Sequence, residues 1–99
     1  MKKSINVAEL PAFDVAPHLN NAVTIAAYLT DVLEANDAGL LAAALGDVAR
    51  AHGMAEIAEA AGITREALYK ALRPGSAPRF DTISRVCVAL GVRLVVLPA

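Results

Sequence analysis

No tryptophan occurs in this chain, which carries one cysteine, two tyrosines and two phenylalanines. A single cysteine excludes a disulfide framework within the chain and a cysteine-based metal site. It suits a reducing compartment, so a cytoplasmic location is expected. His18 and His52 stand alone, without a further ligand at metal spacing, so no metal or cofactor is expected. Long apolar runs are missing too. The densest, residues 40–45 and 92–97, are far too short to span a bilayer, and no membrane partner is expected. Lys2 and Lys3 imitate the positive start of a signal peptide, but Asn6, Glu9 and Asp14 break up the stretch where its apolar run would lie. Also absent are a glycine-rich phosphate loop after a strand and a base motif beside Ser4, Ser76 or Ser84. The carboxylates are spread along solvated helix faces. An enzyme is therefore not expected.

What is present is alanine and an uneven distribution of charge. Ninety-nine residues, 57% of them apolar, suffice for one domain with a modest core. Alanine-rich sequence favours closely packed helices over a sheet. The net charge of −1 conceals two opposed halves. Residues 1–63 hold three basic against eight acidic side chains, a net of −5. Residues 64–99 hold six basic against two acidic, a net of +4. That split suits a polyanion at one end and a different partner at the other.

Helical spacing organises most of the chain. Residues 1–13 read as a flexible arm in which Ser4 to Val7 can extend, and Pro11 and Pro17 forbid a long helix. Asp14 is placed to cap one helical turn through Leu19. A first helix is expected over residues 21–35, with Ile25, Ala26, Leu29, Val32 and Leu33 as its apolar stripe and Tyr28 packing beside it. Asn36 and Asp37 offer caps for a second helix reaching His52, with Leu40, Leu41, Ala44, Leu45, Val48 and Ala49 inward. Gly46 inside it costs about 1 kcal/mol relative to alanine, which points to a close helix contact. Pro74-Gly75-Ser76-Ala77-Pro78 must be a loop. Asp81 is placed to cap a last helix carrying Ile83, Val86, Cys87 and Leu90, stopped by Gly91. Cys87 reads as a buried, inert thiol. Residues 92–97, apolar except for Arg93, are expected to close the chain as a short β-strand. Its unpaired edges call for a partner: a second copy, the Ser4–Val7 arm, or another protein.

Residues 54–73, MAEIAEAAGITREALYKALR, have the layout of a helix-turn-helix. Ala58 is small where two crossing helices approach. Gly62 suits a turn needing positive φ, Ile63 plugs the turn, and Thr64 caps the next helix. At about 100° per residue, Ala67, Leu68, Ala71 and Leu72 fall on one face of that helix. Arg65, Glu66, Tyr69, Lys70 and Arg73 fall on the other. An ordinary helical hairpin with a solvated face shares this splitting; the joint pattern of alanine, glycine, plug and cap is more specific. Such a helix can lie in a major groove with its first residues on base edges.

The candidate DNA-binding residues are Thr64, Arg65, Glu66, Tyr69, Lys70, Arg73 and Arg79. Arg65 has the reach for guanine O6 and N7. Glu66 is placed to accept from a cytosine amino group, or to hold Arg65 or Lys70. Tyr69 suits a thymine methyl, a phosphate or simple packing. Lys70, Arg73 and Arg79 suit phosphates, which position without reading sequence. Thr64 combines capping with a phosphate bond. Met54 begins the preceding helix, whose N–H groups suit a phosphate. Arg85 has no clear side, and His52 suits the C-terminal dipole of its helix. The modest positive charge favours a homodimer, which reads two half-sites about one helical turn apart.

From Ala44 to Val96 the chain resembles the Xre/Cro-like helix-turn-helix family. More narrowly it resembles the addiction-module antidote proteins, the HigA-like antitoxins. The narrower likeness rests on Phe13-Asp14, Ile25-Ala26-Ala27-Tyr28-Leu29 and Ala44-Leu45-Gly46-Asp47-Val48-Ala49-Arg50. It continues through Arg65-Glu66-Ala67-Leu68-Tyr69-Lys70-Ala71-Leu72, Phe80-Asp81-Thr82-Ile83 and Ala89-Leu90-Gly91-Val92-Arg93-Leu94. The resemblance implies an all-α, five-helix Cro/repressor-like domain over residues 14–99. It also implies an antitoxin that represses its own operon by binding operator DNA and neutralises a cognate toxin, usually an mRNA-cleaving endonuclease of RelE/ParE-like fold. Two other functions stay open on the residues alone. One is a stand-alone Cro-like repressor. The other is an adaptor without DNA binding, whose acidic half meets a basic partner.

Overall fold

The computed structural model describes residues 21–99. The arm at residues 1–13, the turn from Asp14 to Leu19, and the Phe13-Asp14 part of the resemblance lie outside the described residues. Five helices succeed one another: α1 (Ala22–Glu34), α2 (Ala38–His52), α3 (Met54–Ala61), α4 (Arg65–Ala71) and α5 (Phe80–Ala89). None is long and apolar enough to cross a membrane.

Each helix start has a local cause. Asn21 is extended and its side chain accepts from the Thr24 N–H at 2.9 Å, so α1 begins one residue later. Asn36 takes a left-handed φ of 55°, a conformation that asparagine tolerates better than most residues. Asp37 then accepts from the N–H groups of Gly39 and Leu40, opening α2. This short connection folds α1 back against α2.

Ile25 and Leu29 of α1, and Ala44, Leu45, Val48 and Ala49 of α2, are buried as their spacing predicts. Ala26, Leu33 and Leu40 depart from it: Ala26 is exposed and Leu33 and Leu40 are 43% and 46% exposed, while Ala42 is fully enclosed. Gly46 lies inside α2 with the carbonyl oxygen of Leu72 so near that a Cβ would sit 3.1 Å from it. The close helix contact expected at Gly46 is therefore between α2 and the end of α4.

α3 touches α2, α4 and α5. Met54, Ile57, Ala58 and Ala61 form its buried side. Most of that side joins Leu68, Leu72, Val86, Cys87 and Leu90 in one core. Burial pushes the Cys87 thiol up from its ordinary range, which keeps it protonated and unreactive.

Two boundaries differ from those expected. Arg79, not Asp81, precedes α5, and it makes no side-chain cap. Asp81 lies in the first turn, where its carboxylate still faces the positive end of the helix. Its oxygen accepts from Arg79 Nε at 3.2 Å. The expected terminal strand over residues 92–97 does not form, and no strand exists among the described residues. Gly91 donates to Val88 O and Val92 to Cys87 O, which closes α5. Val92 then packs on the core, but residues 93–99 find no ladder. Val96 is 98% exposed. A strand is defined by its neighbour, and among the described residues none lies beside this segment.

Candidate nucleic-acid interface

The segment of interest is α3, a tight turn and α4. The turn is closed by two reaching bonds. Gly62 N–H donates to Glu59 O at 3.1 Å, and Ile63 N–H donates to Ala58 O at 3.0 Å. This pairing requires a left-handed residue after the helix, and Gly62 has φ 76°. Ile63 tucks against the core beneath the turn. Thr64 is extended, and its hydroxyl oxygen accepts from the Ala67 N–H at 3.0 Å. Capping uses an acceptor lone pair, so the hydroxyl proton stays available to a further acceptor.

α4 divides as its spacing predicts at every position but Ala67. Leu68 is completely buried, Leu72 nearly so, and Ala71 is half-buried. Arg65, Glu66, Tyr69, Lys70 and Arg73 all face solvent. Ala67 departs from the expected apolar face and is exposed. Glu66, Tyr69, Lys70 and Arg73 line one shallow, open depression. Arg65 lies beside it with its guanidinium over the Tyr69 ring, 5.5 Å from the centroid. Five of the seven candidate residues thus share one surface, and Thr64 stands at its N-terminal edge.

Ion pairs leave this surface alone. Among the described residues they join Arg50 to Asp47 and Arg79 to Asp81. The alternative in which Glu66 holds Lys70 or Arg65 as an ion pair is not adopted. Arg65, Lys70 and Arg73 keep their donors free for an acidic ligand, and Glu66 is the one carboxylate among them. The seventh candidate, Arg79, sits in the loop before α5. It does not line the depression.

Neighbouring elements support the surface. The Ser76 hydroxyl donates to Ala71 O at 2.6 Å, satisfying a carbonyl at the exit of α4. Arg85 of α5 reaches the turn: a Cβ at Gly62 would lie 3.5 Å from its Nη1. A cation there faces the negative end of α3. The spacing of α5 alone carries no signal of that contact. At the other end of α3, Glu56 folds back so that its Oε1 would be 3.1 Å from a Cβ at Gly53. Its carboxylate occupies the positive end of the helix, the place expected for a phosphate at Met54. Tyr28 of α1 is half-buried against the core. Burial raises its phenol, and the charge of Asp47 adds to the shift. Among the described residues no three metal-ligating side chains converge.

A family model described as a probable addiction module antidote protein matches residues 9–98. The chain belongs to that family. Membership implies a cognate toxin as partner. A Haemophilus influenzae (strain Rd) protein described as uncharacterized is 45% identical over 85 residues, covering 86% of this chain and 88% of that one. No solved structure matches the chain. In this antidote-family protein, the exposed face of α4 is the surface on which three cations and an aromatic ring converge.

Proposed function

We propose that this chain is the antitoxin of a type II toxin–antitoxin module. It is a sequence-specific DNA-binding autorepressor that also binds and neutralises a RelE/ParE-like, mRNA-cleaving toxin. The observation that carries the DNA reading is the outward face of α4. There Arg65, Glu66, Tyr69, Lys70 and Arg73 are exposed together, behind a Gly62 turn and above a buried Leu68. On this reading α3, the turn and α4 act as a Cro-like helix-turn-helix. α4 enters the major groove, Arg65 and Glu66 read base edges, and Lys70 and Arg73 hold phosphates. Thr64 donates its free hydroxyl proton to a phosphate at the groove edge. Arg79 adds a more distant phosphate contact, in competition with Asp81.

Membership of an antidote family supports the toxin-binding role. The negative half of the chain supports a basic toxin as the bound partner. Two copies acting together supply the positive charge that one lacks. Their exposed apolar ends at residues 92–97 are the proposed dimer element, each providing the neighbour the other needs to form a strand.

Fluorescence anisotropy tests the DNA reading directly. The protein is titrated onto the duplex upstream of its own gene and onto a shuffled duplex, at two salt concentrations. Selective binding with a steep salt dependence is expected. Weak and equal binding to both duplexes would replace this reading with the adaptor, which meets only the toxin.

A further inference from the structure

Tyr69 is one helical turn after Arg65, and the Arg65 guanidinium lies over its ring at 5.5 Å. This is within the distance at which the ring quadrupole attracts a cation. We infer that Tyr69 is a positioning residue that holds the Arg65 guanidinium for a guanine, rather than a base-reading or phosphate-binding group in its own right. The inference rests on the DNA-binding reading of α4.

The chemistry of the two groups favours this division. A guanidinium has two kinds of surface. Its flat faces stack on aromatic rings, and its rim carries five N–H donors in the molecular plane. The contact with the face of the Tyr69 ring spends none of these donors on a hydrogen-bonding partner. An ion pair with Glu66 would instead consume the donors, and that pair is absent among the described residues. Bidentate recognition of guanine O6 and N7 uses two coplanar N–H groups on the rim. An Arg65 held by this cation–π contact therefore keeps the donors that reading needs and loses part of the rotational freedom that reading would otherwise cost.

The location agrees with this role. Arg65 is the first residue of α4 after the Thr64 cap, at the end of the helix that enters a groove first. Tyr69 is 43% exposed, so it does not serve as a core residue. Lys70 and Arg73 lie on the same face, but no stacking partner holds them. The pattern separates one donor held by a ring from two that have no such partner: a held fork suits a base edge, and unpartnered charges suit phosphates.

The test is a double-mutant cycle on full-length protein. The probe is the upstream duplex, with a matched duplex carrying 7-deazaguanine, which lacks the N7 acceptor. Wild type, Tyr69→Phe, Tyr69→Leu, Arg65→Ala and Arg65→Ala/Tyr69→Leu are titrated by anisotropy, with circular dichroism melts confirming the fold. Tyr69→Phe keeps the ring and should bind within about 1.5-fold of wild type. Tyr69→Leu should weaken binding about 2–5-fold, the loss expected for an exposed cation–π contact. It should leave the salt slope unchanged and shrink the preference for guanine over 7-deazaguanine. In the Arg65→Ala background, Tyr69→Leu should cost nothing further. An equal cost in both backgrounds overturns the positioning role, since Tyr69 would then touch DNA itself. A loss in Tyr69→Phe as large as in Tyr69→Leu overturns it in favour of the hydroxyl. Equal wild-type binding to the upstream and shuffled duplexes overturns the DNA reading, and the positioning role falls with it.

Discussion

Gly46 lies against the carbonyl of Leu72, so near that a Cβ would stand 3.1 Å from the oxygen. Leu72 is the C-terminal cap of α4, so the middle of α2 sets the height of the helix that carries the candidate interface. Gly46→Ala therefore opposes two effects. Helix propensity favours alanine by about 1 kcal/mol. Overpacking against a backbone atom costs about 1–3 kcal/mol. A net loss of stability is expected, read as a lower Tm, together with weaker binding to the upstream duplex. A raised Tm would mean that α4 yields freely and that the contact does not set its position.

The Thr64 cap makes a separable prediction. Thr64→Ala removes the acceptor for the Ala67 N–H and should cost about 1 kcal/mol. Thr64→Ser retains the oxygen and should recover most of that loss. Urea melts of the three proteins decide it. Equal stability of the alanine and threonine forms would show that the hydrogen bond contributes nothing net.

Leu68 is the fully buried anchor of α4. Leu68→Ala should destabilise the domain by about 2–5 kcal/mol, combining lost transfer energy with a cavity. A change well under about 1 kcal/mol by chemical denaturation would contradict the packing of α4 on α3.

The exposed cations should behave differently. Lys70→Ala and Arg73→Ala leave the core untouched, so Tm should hold within a degree or two. Each should reduce the salt slope of DNA binding by about 1 and weaken all sequences alike. A selective loss on the upstream duplex alone would reassign that residue from phosphate to base.

Alkaline pH provides a test of burial. The folded state raises the Cys87 thiol by desolvation and the Tyr28 phenol by desolvation and then by Asp47. A raised folded value means that folding favours the protonated form. Stability is therefore fully present below the unfolded values, about 8.5 for cysteine and about 10 for tyrosine. It is lost as pH rises through the folded values. Tm should be flat with respect to these two groups up to about pH 8 and fall above it, first through Cys87 and then through Tyr28. Cys87→Val should remove the earlier part of the fall; an unchanged profile in that variant would place the loss elsewhere.

Much of the fold was legible because its decisive contacts are local. Asp37 and Thr64 each accept from a backbone N–H within three residues, so residue type marked both caps; Asn21, expected as the first residue of α1, caps it by the same kind of contact. Gly62 answers to the same logic, because the bonds that close its turn run only to Ala58 and Glu59. Asp81 shows the limit of local reasoning: a good capping residue two positions after Arg79 was passed over. Its carboxylate is accommodated inside the first turn instead.

Ala26, Leu33, Leu40 and Ala67, all expected inward and all exposed, mark where periodicity stops. Spacing tells which residues share a face, but not how far a neighbouring helix extends to cover that face. Leu40 sits in the first turn of α2 and remains open. Ala67 sits in the first turn of α4 and is likewise uncovered.

The sequence by itself determined the five helices, the Asp37 and Thr64 caps, the Gly62 turn and the polar face of α4, because each depends on contacts within a few residues. Tertiary structure alone decided that α2 supports α4 through Gly46 and Leu72, that Arg85 lies at the Gly62 turn, and that residues 92–97 form no strand. Those outcomes depend on which distant surfaces meet. The Arg65–Tyr69 cation–π contact belongs between the two: spacing made it available, and the conformations of two side chains in three dimensions selected it over an ion pair with Glu66.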